Sequence, residues 1–168
     1  MKKSILYVLS LLLLTSLFSI GTASANDAAL IFVGTFELAQ AVPAPAVAPA
    51  DTIAGSGVFY FNPEDNSLAF QVALTDLTSS VRALQFHNGA AGEVGPPIQT
   101  ICGEGPAGVI GTPLVEGPCR PGTDHVMQQR WTLTDAQADE LLAGNLYVNV
   151  HTEDNFAPGE IRAQLNQL

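Results

Sequence analysis

Apolar and polar residues alternate with a period of two along most of this chain, the pattern of strands that bury one face. Leu30 to Leu38 reads as a first strand and Gly57 to Phe61 as a second. The run Asn62-Pro63-Glu64-Asp65-Asn66 closes the second strand with a strong turn signal. Leu68, Phe70, Val72 and Leu74 then alternate with polar or small residues, which predicts a half-buried third strand. A fourth runs from about Val81 to His87, and Ile98 to Ile101 and Val126 to Leu133 are shorter candidates. The Ala/Pro segment Ala41 to Ala50 is expected as a loop or extended edge, because Pro brings no ladder donor.

The alternation breaks once. Thr134-Asp135-Ala136-Gln137 has the form of a capping box, with Thr134 covering free N–H groups and Gln137 reaching back. Leu141 and Leu142 supply the apolar contacts of the short helix that follows, and Gly144 ends it. Two more strands are predicted, Asn145 to His151 and Glu160 to Asn166, joined by a turn around Asp154, Asn155 and Pro158. Many short strands, frequent turns and one helix near residues 134–143 argue for an all-β fold, an antiparallel β-sandwich or a closed barrel. No internal repeat and no second domain are visible.

The amino-terminal segment has a different character. Lys2 and Lys3 precede an apolar run from Ile5 to Ile20, and Ala23-Ser24-Ala25 ends it. That layout predicts a secretory signal peptide over residues 1–25, followed by one domain over 26–168. The mature product is then exported to a periplasm or the extracellular space, with no membrane anchor. Both lysines leave with the signal, so the formal charge moves from −10 for the whole chain to −12 for four arginines against 16 acidic residues. A surface so acidic repels nucleic acid and anionic lipid. Cys102 and Cys119 are the two cysteines, and an even pair in an exported chain predicts a disulfide. It staples a Gly/Pro-rich segment, and closing a loop of that length contributes about 3 kcal/mol in the chain-entropy model.

Strand parity makes a statement about the histidines. Leu146, Val148 and Val150 share one strand face, which leaves Tyr147, Asn149 and His151 on the other. Leu84 and Phe86 likewise leave Ala83, Gln85 and His87 opposite. His87 and His151 therefore both point away from the core, and they approach each other if the two strands are neighbours. Backbone of the Gly89 to Gly95 turn is the alternative partner for these rings. His125 is expected in a loop, facing solvent. Glu160, Arg162 and Gln164 share a face, which predicts a Glu160–Arg162 ion pair on an edge strand, with a carboxylate ligand as the other use of Arg162. The Thr152-Glu153-Asp154-Asn155 turn is rich in oxygen but lacks a calcium-loop pattern. There is no Gly-Xaa-Ser-Xaa-Gly elbow, no Walker loop and no His-Glu-Xaa-Xaa-His.

Two segments carry a resemblance. His87-Asn88-Gly89-Ala90-Ala91-Gly92-Glu93-Val94-Gly95-Pro96, together with the stretch Leu146 to Leu168 and its Pro-Gly-Glu-Ile-Arg-Ala-Gln-Leu, resembles the CHRD domain. That module is named after chordin and also occurs in exported microbial proteins. The resemblance covers nearly the whole mature chain and implies an immunoglobulin-like antiparallel β fold. Members often carry His-Xaa-His where this chain has Gln85-Phe86-His87, and such a pair suits copper or zinc. Gln85 is a much poorer ligand, so His87 and His151 remain as the metal candidates. Ala163 stands where the family often has Gly, which puts close ligand approach there in doubt. In chordin the domains belong to an extracellular antagonist of growth-factor signalling, so the resemblance implies a protein partner. The expectation is a non-enzymatic binding or structural module without a cofactor, acting on an extracellular or periplasmic protein. The alternative is a small metal-binding or redox protein that uses His87 and His151 for copper or zinc.

Overall fold

The computed structural model describes residues 29–47, 53–104, 113–157 and 159–168. The expected signal segment lies outside them. In chain order the strands are β1 (Leu30–Phe36), β2 (Ala54–Asn62), β3 (Ser67–Thr75), β4 (Val81–Asn88), β5 (Pro97–Gly103) and β6 (His125–Thr132). The helix α1 (Asp135–Leu142) follows, then β7 (Leu146–Thr152), β8 (Ile161–Gln164) and β9 (Asn166–Gln167). They form two antiparallel sheets, β6-β3-β2-β1-β9 and β5-β4-β7-β8, packed as a sandwich. Among the described residues no helix is long and apolar enough to cross a membrane.

Alternation builds the core. Phe59 and Phe61 of β2, Phe70 and Val72 of β3, and Phe86 of β4 all turn inward and are almost fully buried. Their rings meet across the sheets, with Phe70 and Phe86 edge-on at 5.2 Å and Phe86 against Trp131 at 4.9 Å. Room for Phe59 comes from the cross-strand pair Gly34 and Gly57, since a methyl group on Gly57 would sit 2.6 Å from its ring. Ala163 packs on the same spot, 3.1 Å from where a Cβ on Gly34 would lie. Its methyl therefore fills the core rather than facing any ligand, in line with the inward parity of Ile161, Ala163 and Leu165.

Several boundaries differ from the periodicity. The first strand ends at Phe36, because Glu37 leaves β2 and bridges to Arg162 of β8, after which Leu38–Gln40 turn as a 3-10 segment. The last predicted strand is divided at buried Leu165, where the chain passes from the β7 sheet to pair with β1. In α1 the capping box is present on both sides, Gln137 N to Thr134 Oγ1 at 3.3 Å and Thr134 N to Gln137 Oε1 at 2.9 Å. Leu141 is buried with Ala138, three positions earlier, whereas Leu142 has rotated into solvent.

The disulfide Cys102–Cys119 is formed, with Cα atoms 5.1 Å apart. Leu114 N and Val115 N donate to Thr100 O and Ile101 O, so these two residues pair along the outer edge of β5. Covering an edge in this way removes a template for unwanted strand pairing.

Candidate functional site

The outward face of the β5-β4-β7-β8 sheet carries Gln85 and His87 from β4, Tyr147, Asn149 and His151 from β7, and Arg162 and Gln164 from β8. In a sandwich such a face meets water, yet each of these side chains is buried, His87 to 6%, His151 to 9% and Arg162 to 2% exposure. Two connections fold back over the sheet. One is the Gly-rich segment 89–96 after β4, and the other is the turn from Glu153 onward after β7. Gly95 closes against Asn88, where any Cβ would collide with the Asn88 carbonyl, so the first segment can double back only with Gly there.

Strands β4 and β7 are hydrogen-bonded neighbours, with His87 opposite Tyr147 and Ala83 opposite His151. The two imidazoles lean together across the intervening Gln85–Asn149 pair, and their ring centres are 5.9 Å apart. They occupy the middle of a continuous stack. Arg162 lies 3.3 Å over Tyr147, Tyr147 stacks on His87 at 4.9 Å, His151 meets Phe156 at 5.8 Å, and Arg82 lies 4.1 Å over Phe156. Cationic groups thus close both ends of four rings.

Each imidazole is oriented by a backbone carbonyl. His87 Nδ1 lies 2.9 Å from Gly95 O and His151 Nδ1 2.7 Å from Phe156 O. A carbonyl only accepts, so each Nδ1 carries the proton and each Nε2 presents a lone pair. His151 Nε2 is 3.2 Å from the Asn149 amide nitrogen, whereas His87 Nε2 is buried without a partner. Burial drives the His87 pKa down to about 4, with the Gly95 carbonyl pulling upward and the charges of His151 and Arg162 adding to the depression. Burial also lowers His151, against the opposing effect of the Phe156 carbonyl. Both rings are therefore neutral near pH 7.

Arg162 does not pair with Glu160. Its NH1 donates to Glu93 O, and NH2 donates to Ala90 O at 2.8 Å and to Gln164 Oε1 at 2.7 Å. The Gln164 amide donates to Gly89 O at 3.1 Å and Gly144 O at 2.7 Å. Glu160 is fully buried at another place, where it accepts from Thr78 N at 2.7 Å, from Thr78 Oγ1 at 3.0 Å and from the Thr152 hydroxyl at 2.5 Å. The expected ion pair is thus replaced by two separate anchors, because loop backbone brings donors and acceptors that strand parity does not reveal. Among the described residues, the one salt bridge is Arg82–Glu104 at 2.8 Å, on the surface.

His125 also departs from expectation. It is the first residue of β6, buried beside the sheet, with Nε2 3.0 Å from Gly122 O. Extending the alternation of Met127, Gln129 and Trp131 back by one step would have placed it on the inward face. The acidic turn does not converge on one point, since Glu153 and Asp154 are exposed while Asn155 turns inward to Val47 and Glu160. Tyr147 and Phe156 were not singled out from sequence as site residues. Tyr147 shares the parity of His151, but the turn that carries Phe156 over the sheet leaves no periodic signal.

Fold and site together define an antiparallel two-sheet sandwich whose second sheet holds a roofed, polar outer face. The model of the CHRD domain matches residues 32–165, and the chain belongs to that family. Comparison with curated proteins and with solved structures gives no match.

Proposed function

We propose that this CHRD-family protein is an exported, non-enzymatic binding module that offers the segment after β4 to a protein partner. The use made of Arg162 carries this reading. A guanidinium able to grip a ligand carboxylate is instead spent on the carbonyls of Ala90 and Glu93, so it braces a connection from beneath. The braced segment leaves Ala91 to Val94 in solvent, and Val94 is 67% exposed. A projection held in one shape loses little entropy on binding, which raises affinity. Exposed Glu93, Glu153 and Asp154 belong to the two connections that roof the face. The complementary partner has a small apolar socket for Val94 with basic groups around it. The Lys2-Lys3 start, the apolar run and Ala23-Ser24-Ala25 support export, and with it a periplasmic or extracellular site of action.

The test places a photo-crosslinking residue at position 94 and, separately, at the exposed position of Tyr60 on the opposite sheet. Each variant is irradiated in the native exported fraction. A discrete adduct from position 94, competed away by excess unlabelled protein and missing from position 60, is the predicted result. Adducts of equal yield from both positions, or none from position 94, would overturn the reading.

A further inference from the structure

Among the described residues, one long strand edge of the sandwich is left open. Leu114 and Val115 pair along β5, the Glu37 bridge and the Gln40 side chain cover β8, and β9 is two residues long. Strand β6 ends its sheet with eight residues, and β3 is its hydrogen-bonded neighbour. Among the described residues, nothing donates to or accepts from the β6 backbone groups that point away from β3. The strand also lacks the usual guards of an edge. It holds no Pro, Gly or Lys and keeps register with β3 without a bulge. We propose that β6 is a self-association edge, pairing antiparallel with β6 of a second copy of this chain across a two-fold axis.

Charge complementarity selects this occupant. The chain carries a net charge of −10, so most approaches of one copy to another are repulsive. Strand β6 has no acidic residue, and Arg130 is its fixed charge. Asp124 stands exposed immediately before the strand and shares the parity of Val126, Gln128 and Arg130. Both charged groups are already oriented, Arg130 NH1 by Ser67 Oγ at 3.1 Å and Asp124 Oδ1 by Asp76 N at 3.0 Å. A two-fold axis perpendicular to the sheet keeps every side chain on its own face, so directly opposed residues must have the same parity. Centring the axis on Met127 meets that condition and sets Arg130 opposite Asp124 of the second copy, twice over. Val126 then lies opposite Gln128 on the same face, and Met127 opposes its own copy on the inner face. A cleft of about 380 Å³ lined by Val115, Pro118, Met127 and Gln129 gives the inner side chains room.

Pairing of this kind joins two five-stranded sheets into one. It leaves Tyr60, on β2 beyond β3, and Val94, over the other sheet, uncovered. The edge is therefore independent of the partner that Val94 contacts.

The test is sedimentation equilibrium of the folded protein from about 1 to 100 µM. A monomer–dimer equilibrium is expected. Asp124→Arg or Arg130→Asp should weaken it about 10-fold or more, because each sets like charges opposite each other. Both changes in one chain should restore it to within about 3-fold of the wild type. Hydrogen exchange on the wild-type protein then separates this edge from any other contact. Alternate amides within His125 to Arg130 should exchange fast in dilute protein and slowly at the highest concentration, while those of β9 do not respond. A protein that stays monomeric throughout would overturn the proposal. So would a dimer indifferent to the single charge changes, a double variant as weak as the single ones, or a dimer without concentration-dependent protection in β6.

Discussion

Arg162 serves two carbonyls, one amide oxygen and one aromatic ring at once, so its replacement acts on a connection some seventy positions earlier in the chain. Arg162→Leu leaves the Ala90 and Glu93 carbonyls without their donors and should cost about 3 kcal/mol in a urea unfolding series. Arg162→Lys should recover less than half of that, because an ammonium cannot reproduce the planar fork. His87 sets a pH dependence. Its folded pKa of about 4 lies below the ordinary 6.5, so the unfolded chain takes up the proton first. Stability from this group is complete above pH 6.5 and declines as pH falls toward 4, a loss on the order of 3 kcal/mol across that window. His151 acts in the same direction. A His87→Gln protein should show a shallower decline in denaturant midpoint between neutral and mildly acidic pH. An equally steep decline would assign the effect to other groups. At this scale the sequence is partly legible. Parity placed His87, His151 and Arg162 on outward faces correctly, but their partners are backbone carbonyls of loops, and no residue code announces those.

Elements were the most legible level, because one buried face imposes alternation and the helix cap uses side chains with a fixed spacing. Strands β2 to β4 and the start of α1 agree with the alternation within a few residues. The division at Leu165 was not readable, since the same inward parity continues through Ala163 and Leu165 whichever sheet receives them. Pairing partners are a tertiary choice, and periodicity carries only the face. Thr134→Ala should remove the cap and lower stability by about 1 kcal/mol, measured by thermal or urea unfolding. Reducing Cys102–Cys119 should cost about 3 kcal/mol if loop closure governs its effect. A change below about 1 kcal/mol would mean that the pairing of Leu114 and Val115 along β5 holds the segment without the bond.

At the scale of the whole molecule, the two sheets differ in how their outer faces are used. The β6-β3-β2-β1 face leaves Tyr60 and Val126 in solvent, while the β5-β4-β7-β8 face is polar and roofed. Polar alternation normally signals a wet face, which is why the roof could not be read from sequence. The roof turns would-be functional groups into supports and sets the projecting segment 91–94 above them. Hydrogen–deuterium exchange on the Gly89 and Gly95 amides tests that arrangement most directly. Gly89 N–H donates to Asn145 O at 2.7 Å and Gly95 N–H to the Tyr147 hydroxyl at 3.0 Å. Both should exchange slowly in the wild type and become fast in Arg162→Gln, while amides of β4 and β7 stay protected. Rapid exchange of both amides in the wild-type protein would contradict the account, since a segment that opens freely is not braced by the face beneath it.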